Sequence, residues 1–278
     1  MQRENNKIEI AAWGSPFSHD ICSCAGEKPK NHEWIFDRVS KLGISVYMDY
    51  NILGGIESTS KYNYLWLCES RAVTPQQTEY VKNNYNKLLG IYRKIFVHNY
   101  DLLKLDARFE YVPPAANFTW IKERKIYEKN KLISMISSGK DFTESHRKRN
   151  NFLNRLSNQY KDIDYFGRYF NPFGSKEEVL SDYMFSIAIE NDKYSNYYTE
   201  KIMDCFATGT IPIYSGTPEI SKLFDESGII ILTEEFDPRI LTTELYFSKI
   251  NAIHHNFEIS LSHKIADDVL YEKIIGDV

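Results

Sequence analysis

The residues best suited to chemistry in this chain cluster around the triplet Thr199, Glu200 and Lys201. Apolar residues with helical spacing follow the triplet, so we expect it to form the first turn of a helix. Such a turn has free backbone N–H groups and the positive end of the helix dipole, where the charge of Lys201 is unfavourable for the helix itself. A diphosphate bound there would compensate that charge. The structural alternative is a capped surface helix with a solvated lysine.

Polar and aromatic residues flank the triplet in an order that suits a nucleotide sugar. Glu190 and Asn191 end a predicted apolar strand, YMFSIAI, at its carboxyl end. Glu200 is suited to accept hydrogen bonds from sugar hydroxyls. Tyr197 offers a ring for stacking on a base, with Tyr198 as a substitute. Together these residues indicate a site for an anionic, sugar-containing ligand.

A second basic cluster opens another predicted helix, RKRNNFLNRL, whose third residue is Arg149. It follows a Ser-Ser-Gly turn that contains Ser138. Three adjacent basic residues after such a turn predict an anion pocket, and the planar guanidinium of arginine suits phosphate. A solvated basic helix face is the alternative interpretation.

Strand and helix patterns alternate along the chain, which predicts parallel βαβ units. The predicted strands are Lys7–Trp13, Ile44–Met48, Tyr64–Cys68, Lys94–Val97, Phe109–Val112, Leu132–Ile136, Asp162–Phe166, Met184–Ile189, Ile211–Tyr214 and Ile229–Leu232. The predicted helices are His32–Leu42, Pro75–Leu89, Ser145–Ser157, Ser175–Ser181, Thr199–Thr208 and Glu219–Phe224, with a helical tail from Asp237. The polar stretch Asn117–Asn130 interrupts the pattern and is interpreted as an interdomain linker.

Two successive α/β halves predict two Rossmann-like domains, over residues 1–120 and 131–278, that face a central cleft. We expect the terminal helix to pack back on the N-terminal domain. Doubly wound sheets bind ligands beyond the carboxyl ends of their strands. This plan alone predicts an enzyme of nucleotides or nucleotide sugars.

The segment 183–216 resembles the signature of the α-1,3/4-fucosyltransferase family. YMFSIAIEN, YYTEK and GTIPIYSG are similar to the family's Y-x-F-x-(hydrophobic)2-F-E-N, Y-x-T-E-K and G-T-(I/V)-P-(I/V)-Y-x-G, in the same order. The helix RKRNNFLNRL is similar to the family's R-x-x-F-x-x-x-L, and YFGR, which contains Gly167, to its Y-G-R turn. Ile189 and Gly139 depart from the family's Phe and Asn at these positions.

This resemblance implies an inverting glycosyltransferase of the GT-B type that transfers fucose from GDP-fucose to a hydroxyl of a glycan acceptor. The donor-binding residues it implies are Arg149, Ser138, Gly167, Glu190, Asn191, Tyr197, Thr199, Glu200 and Lys201. CESRAVTP is similar to the family's E-S-P loop, which assigns the general base to Glu69 at the end of a buried strand. A related transferase with another nucleotide sugar, and a catalytically inactive binding protein on the same fold, stay open as alternatives.

The composition argues against several classes of partner and location. The chain has 278 residues, 42% of them hydrophobic, and a net charge of −4, which argues against nucleic acid as the main partner. It has no apolar run of the roughly 20 residues that a bilayer requires and no signal-peptide pattern, so we expect a cytoplasmic protein. Its four cysteines lack metal-ligand spacing and are expected to be free thiols.

No metal or other cofactor is expected in catalysis. The sequence Asp162-Ile163-Asp164 matches the D-x-D metal motif of the other large glycosyltransferase fold. Its alternation continues into Tyr165, however, as in an ordinary strand. Phosphate neutralisation is therefore assigned to Arg149 and Lys201.

Overall fold

The computed structural model describes residues 7–14, 22–24, 27–36 and 42–278. The chain forms two compact units: Met1–Asn117 together with Lys264–Val278, and Phe118–His263. Each unit is built around one parallel β-sheet with helices packed on it. The predicted class, α/β with two Rossmann-like domains, is confirmed.

The first unit contains a six-stranded sheet in the order β2-β1-β3-β4-β5-β6, and all its strand pairs are parallel. Its strands are β1 (Ile8–Trp13), β2 (His32–Ile35), β3 (Ile44–Met48), β4 (Tyr62–Leu67), β5 (Lys94–Val97) and β6 (Phe109–Tyr111). Its helices are α1 (Pro75–Leu88), α2 (Tyr100–Leu103) and the last helix of the chain, α8 (Ala266–Ile275). The central strand β4 is buried over its last four residues, as expected of a strand covered on both faces.

The last helix completes the core of the first unit. Leu270 and Ile274 of α8 are fully buried and belong to the same apolar cluster as Trp34 and Trp66. Asn117 ties together the two points at which the chain leaves and re-enters this unit. Its amide donates to the backbone oxygen of Lys264 at 2.9 Å, and its Oδ1 accepts from the backbone nitrogen of Ala266 at 2.8 Å.

The second unit contains a five-stranded parallel sheet in the order β11-β10-β9-β7-β8. The strands are β7 (Lys131–Ser137), β8 (Asp164–Gly167), β9 (Tyr183–Ile189), β10 (Ile211–Ser215) and β11 (Ile230–Ile231). The helices are α3 (Glu144–Gln159), α4 (Lys176–Leu180), α5 (Glu200–Thr208), α6 (Thr243–Ser248) and α7 (Ile250–Ser262). The first strand of the unit, β7, lies between β8 and β9, so the strand order reverses beside it. Such a reversal opens a crevice at the carboxyl ends of the strands.

Two predicted helices differ in the structure. The helix predicted for His32–Leu42 is wrong, because His32–Ile35 forms strand β2, which pairs in parallel with β1. His32 and Trp34 are buried while Glu33 is exposed, which is the two-residue period of a strand. Residues 37–41 lie outside the described residues. The helix predicted for Glu219–Phe224 is reduced to one 3₁₀ turn, Ile220–Lys222.

The stretch interpreted as a linker packs into the second unit. Phe118 and Ile121 are buried, and the hydroxyl of Thr119 donates to Asp204 on α5 at 2.8 Å. The second unit therefore begins at Phe118, not at residue 131, and ends at His263. The polar residues of this stretch suggested an interdomain linker, because their hydrogen-bond partners are distant in sequence and the local pattern does not reveal them.

Lys129 shows how a charged residue of this stretch is accommodated. Its ammonium donates to the backbone oxygens of Leu180 and Thr208, both at 2.8 Å, and to the hydroxyl of Thr210 at 3.0 Å. It thereby satisfies carbonyl groups at the carboxyl ends of α4 and α5. Burial lowers the pKa of Lys129 to about 7.

Candidate functional site

The predicted donor-binding residues lie at the carboxyl edge of the second sheet and at the helix starts that follow it. Glu190 comes directly after β9, and α5 begins at Glu200. Ser138 and Gly167 stand at the ends of β7 and β8, and Arg149 lies in the second turn of α3. The fold therefore gathers the predicted residues at one edge of one sheet.

Glu190 organises the start of α5. Its fully buried carboxylate accepts from the backbone N–H of Thr199 at 2.7 Å and from the Thr199 hydroxyl at 2.8 Å. Lys201 donates to the same carboxylate at 3.1 Å. Because the Thr199 hydroxyl is engaged with Glu190, it makes no capping bond to the first turn of α5. The N–H groups of that turn therefore have no side-chain cap, as a helix start that binds an anion requires.

The positive charge of Lys201 is balanced by carboxylates of the protein itself, which the sequence did not indicate. Its ammonium lies 3.1 Å from Glu190 and 3.5 Å from Glu200. Burial alone would lower the pKa of Lys201, but these two carboxylates outweigh it and raise the pKa. The unfavourable position of this charge in the first turn is thus already offset by two carboxylates.

Glu200 is held between two ammonium groups. Lys201 lies on one side of it, and Lys176 of α4 lies 3.4 Å away on the other. Burial would raise the pKa of Glu200, but Lys201 and Lys176 outweigh it and hold the pKa at about 2. Lys176 also pairs with Asp204 at 2.7 Å and lies 4.1 Å from the ring centre of Trp120. Glu200 is therefore a fixed carboxylate at physiological pH.

Arg149 is the cation of this edge that the protein does not fully satisfy. It is 8% exposed, and its Nη1 donates to Asn191 Oδ1 at 3.1 Å. Its Nε and Nη2 are buried and have no hydrogen-bond partner among the described residues. A buried guanidinium with unmet donors is costly. The remaining donors are suited to an anionic ligand that arrives from outside.

His146, beside Arg149, lies among several positive charges. His146, one turn earlier on α3, accepts or donates a hydrogen bond with the Thr143 hydroxyl at 2.7 Å. Burial first, and then the charges of Arg149, Lys140 and Lys201, lower the pKa of His146 to about 4. This histidine is therefore neutral at physiological pH, and the local positive charge comes from the arginine and the lysines.

Two glycines shape the turns at this edge. Gly167 has a φ of +121°, and a Cβ there would lie 1.8 Å from the Ser137 oxygen, so only glycine fits. Gly139 has a φ of +67°, and a Cβ there would lie 2.7 Å from the ring of Tyr169. Ser138 is exposed beside Gly139, and its hydroxyl is 3.5 Å from the Lys140 nitrogen.

The comparisons with known proteins agree with this geometry. Residues 126–257 match glycosyltransferase family 10 (fucosyltransferase), C-terminal part. This segment, just under half of the chain, is therefore similar to family 10. The resemblance predicted from the sequence is thereby confirmed.

Two curated relatives are similar to parts of the chain. The α-(1,3)-fucosyltransferase FucT of Helicobacter pylori is 41% identical over 56 residues, which cover 20% of this chain and 12% of that protein. The human GDP-fucose protein O-fucosyltransferase 3 is 26% identical over 98 residues, which cover 35% of this chain and 20% of that protein. The matches thus span a fifth or less of the length of these relatives.

A solved structure shares the fold over most of the chain. The crystal structure of an α1,3-fucosyltransferase with GDP aligns with a TM-score of 0.53 and 14% identity. The alignment covers 94% of this chain and 82% of that chain. At this identity the likeness is one of fold, and it confirms the predicted GT-B class. Across the described part of the chain, no helix is both long and apolar enough to cross a membrane.

The two tyrosines before the triplet Thr199, Glu200 and Lys201 are buried. Tyr197 is 4% exposed, which leaves little of its ring for stacking on a base. The Tyr198 hydroxyl bonds to His263 at 2.8 Å, and its ring packs edge-on against Phe224, so this tyrosine belongs to the core. Two described rings at this edge are exposed instead, Tyr169 at 63% and Phe142 at 62%.

Glu69 lies in the first unit, outside the segment that matches family 10. It follows β4 at the carboxyl edge of the first sheet, and its side chain is exposed. Its backbone N–H donates to Asp49 Oδ1 at 3.3 Å, and its backbone oxygen lies 3.0 Å from His98 Nε2. The structure thus places Glu69 just beyond the end of β4, as predicted. Residues 15–21 and 25–26, in the loop that follows β1, lie outside the described residues.

Several residues of the site were not predicted. Lys176 and Trp120 hold Glu200 and Asp204 from elements outside the motif. The four-residue spacing of Glu200 and Asp204 places both on one face of α5, which is a signal that could have indicated a shared cation. No comparable pattern marks Tyr169 as an exposed ring, because it depends on how the turn after β8 folds.

The D-x-D sequence is part of ordinary structure. Asp164 begins β8, at the amino edge of the sheet, and accepts a hydrogen bond from the Tyr183 hydroxyl at 2.6 Å. Ile163 is buried. Over residues 7–14, 22–24, 27–36 and 42–278, no three His, Cys, Asp or Glu side chains are grouped as metal ligands.

Proposed function

We propose that this protein transfers fucose from GDP-fucose to a hydroxyl of a glycan acceptor, with inversion at the anomeric carbon. The observation that carries the proposal is the Arg149 guanidinium, buried at the carboxyl edge with two donors unmet among the described residues. It belongs to the same edge as Lys201 and the uncapped start of α5. This combination of donors suits a diphosphate.

The choice of donor rests on the relatives. The names of the matched proteins specify α-(1,3)-fucosyltransferase and GDP-fucose protein O-fucosyltransferase, and the solved relative was crystallised with GDP. In this proposal Arg149, Lys201 and the N–H groups that follow Thr199 bind the diphosphate. Asn191, which already accepts from Arg149, and Glu200 orient the sugar. Tyr169 replaces Tyr197 as the ring that contacts the base, because its face is exposed.

The reaction we propose is a single displacement. The acceptor oxygen forms a bond to the anomeric carbon while the bond from that carbon to the GDP oxygen breaks. Glu69 takes the proton of the acceptor hydroxyl, and GDP leaves with the electron pair. Negative charge that grows on the leaving diphosphate is stabilised by Arg149 and Lys201. Because two cations of the protein supply this stabilisation, we propose that no divalent metal is required and that transfer persists in EDTA.

We also propose that the reaction takes place in the cytoplasm. All four cysteines of the chain, at positions 22, 24, 68 and 205, are buried free thiols. Unpaired thiols are typical of a reducing compartment.

The variant Arg149→Met tests the donor site. Charge-assisted hydrogen bonds contribute about 1.5–3 kcal/mol each, so calorimetry should show GDP affinity reduced about tenfold or more. Fucose transfer should fall with it. Arg155→Met is the matched control, because Arg155 lies on the same helix and is exposed. Equal GDP affinity in both variants and the unmodified protein would contradict the proposed donor site.

A further inference from the structure

We propose that Asp49 is the residue that positions Glu69 for proton abstraction from the acceptor. The proposal rests on the proposed function, since it concerns how the base of that reaction is held. Asp49 follows β3 directly, and Glu69 follows β4 by two residues. The two strands are parallel neighbours, so their carboxyl ends meet at the same edge of the first sheet.

The carboxylate of Asp49 accepts three hydrogen bonds from residues at the end of β4. Oδ1 accepts from the backbone N–H of Cys68 at 3.1 Å and from that of Glu69 at 3.3 Å. Oδ2 accepts from the thiol of Cys68 at 2.8 Å. One side chain thus satisfies two successive main-chain donors that extend beyond the last ladder residue of β4.

The main chain at Glu69 is held on its other side as well. Its carbonyl oxygen lies 3.0 Å from His98 Nε2, which follows β5. Asp49 and His98 are both buried, whereas the Glu69 side chain is exposed. The Glu69 backbone is therefore fixed between two neighbouring strand ends, and its carboxylate points out of the packed structure. Such support is what a base needs to stay within reach of a substrate hydroxyl.

The backbone of Asp49 is itself unusual. Its φ is +35°, in the left-handed region that residues other than glycine seldom occupy. Backbone strain of this kind costs about 1–3 kcal/mol and persists where the surrounding structure fixes it. Here the left-handed turn places the carboxylate against the neighbouring strand end, where it makes the three contacts.

The charge of Asp49 faces a small set of titratable groups: Glu69, the Cys68 thiol and the Tyr50 hydroxyl. Burial raises the pKa of Asp49 to about 7, and the negative charge of Glu69 adds to the increase. Burial of the Asp49 carboxylate costs solvation free energy, and the amide of an asparagine could make most of the same hydrogen bonds. A carboxylate at this position therefore indicates that the negative charge beside Glu69 has a function.

The test compares Asp49→Asn and Asp49→Ala with Glu69→Gln and the unmodified protein. The control is Asp106→Asn, at the amino edge of the same sheet, where Asp106 contacts Arg108. Transfer and donor hydrolysis are measured with GDP-fucose across pH, and hydrogen exchange is measured for a peptide that spans residues 66–70. Glu69→Gln should lose about 10²–10⁴ in kcat and the acidic limb of its pH profile.

For Asp49→Asn we expect kcat to fall at least tenfold with the KM for GDP-fucose unchanged. The unmodified protein should gain activity as pH rises through about 7, where Asp49 ionises and its charge makes Glu69 a stronger base, and Asp49→Asn should lack this gain. For Asp49→Ala we expect exchange at least tenfold faster in residues 66–70 and unchanged in β5. A merely structural residue would alter exchange but leave the pH profile unchanged.

The outcomes separate the two proposals. An active unmodified protein whose Asp49→Asn variant matches Asp106→Asn in kcat and pH profile would overturn the role of Asp49 alone. Unchanged hydrogen exchange of residues 66–70 in Asp49→Ala would contradict the proposal that the Asp49 carboxylate fixes the backbone at Glu69. An unmodified protein that neither transfers fucose nor hydrolyses the donor would overturn the proposed function, and the role of Asp49 with it.

Discussion

At the residue scale, the donor edge of the second sheet contains ions that are mostly paired with one another. Glu190, Glu200 and Asp204 meet Lys176 and Lys201 at 2.7–3.5 Å. Such pairs hold groups in place more than they add stability, because desolvation offsets much of their attraction. The pairing means that these ions are preorganised before any ligand binds, while Arg149 keeps unmet donors.

Lys201 therefore has two roles that mutation can separate. Lys201→Met removes the partner of the buried Glu190 and should cost roughly 3 kcal/mol of unfolding free energy as well as GDP affinity. The double variant Lys201→Met/Glu190→Gln should recover most of the stability but not the affinity, because the amide is neutral while the diphosphate still lacks a cation. Denaturant unfolding and calorimetry measure the two effects. Recovery of GDP affinity in the double variant would show that Lys201 acts only as a partner of Glu190.

At the element scale, the sequence predicted most strands and helices well but misjudged those that depend on distant partners. Strands β3 and β5 have the predicted bounds, because each is a continuous apolar run flanked by polar residues. Strand β2 was predicted as a helix, since four residues carry too little periodicity to decide between the two. Its conformation is set by pairing with β1 and by the stacking of His32 on Tyr271 of α8.

The candidate site shows the same division. The motif residues Glu190, Thr199 and Lys201 were predicted, because they lie together in sequence at a strand end and a helix start. Lys176, which contacts Glu200, and Asp49, which contacts the backbone of Glu69, were not, because each belongs to another element and no local pattern reveals a hydrogen bond across a sheet edge. Tyr197 was expected to offer its ring to a base but is buried, and the exposure of Tyr169 was not predicted, since packing decides which ring faces solvent.

Lys129, which satisfies the ends of α4 and α5, should make stability depend on pH. Its pKa is about 7 in the folded protein and 10.5 in the unfolded chain, so between these values the unfolded state binds more protons. The free energy of unfolding should therefore rise as pH increases from about 7 to about 10.5. Lys129→Met should lose this contribution, whereas Lys131→Met, at an exposed ion pair, should retain it. Denaturant unfolding at several pH values measures the difference, and parallel curves for all three proteins would contradict it.

At the scale of the whole molecule, the chain has two sets of apolar clusters, one set in each unit. The clusters around Trp66 and Leu88 lie in the first unit, and those around Phe185 and Phe206 lie in the second. No described apolar cluster combines buried residues from the two units. Stability and ligand binding can therefore be altered separately.

Leu270→Ala should demonstrate this separation. Leu270 is fully buried in the first unit, so its truncation should cost about 2–5 kcal/mol of unfolding free energy. GDP affinity should stay within about twofold, because the proposed donor residues belong to the second unit. Leu53→Ala, at an exposed position of the first unit, is the control and should change stability by less than about 0.5 kcal/mol. A loss of GDP affinity in folded Leu270→Ala protein would show that the units are coupled.

The tie that Asn117 makes to Lys264 and Ala266 has a consequence for biosynthesis. The second unit is an insertion within the first, so a ribosome completes the whole insertion before it supplies the last helix of the first unit. Domains fold as units during synthesis, and the earlier segment ordinarily leads. Here we expect the reverse order, because the nascent first unit lacks Leu270 and Ile274 and leaves the apolar surface beside Trp34 and Trp66 uncovered until residues 266–275 have been made. The part of the chain made first is the part that matures last, and it is the natural client for a chaperone.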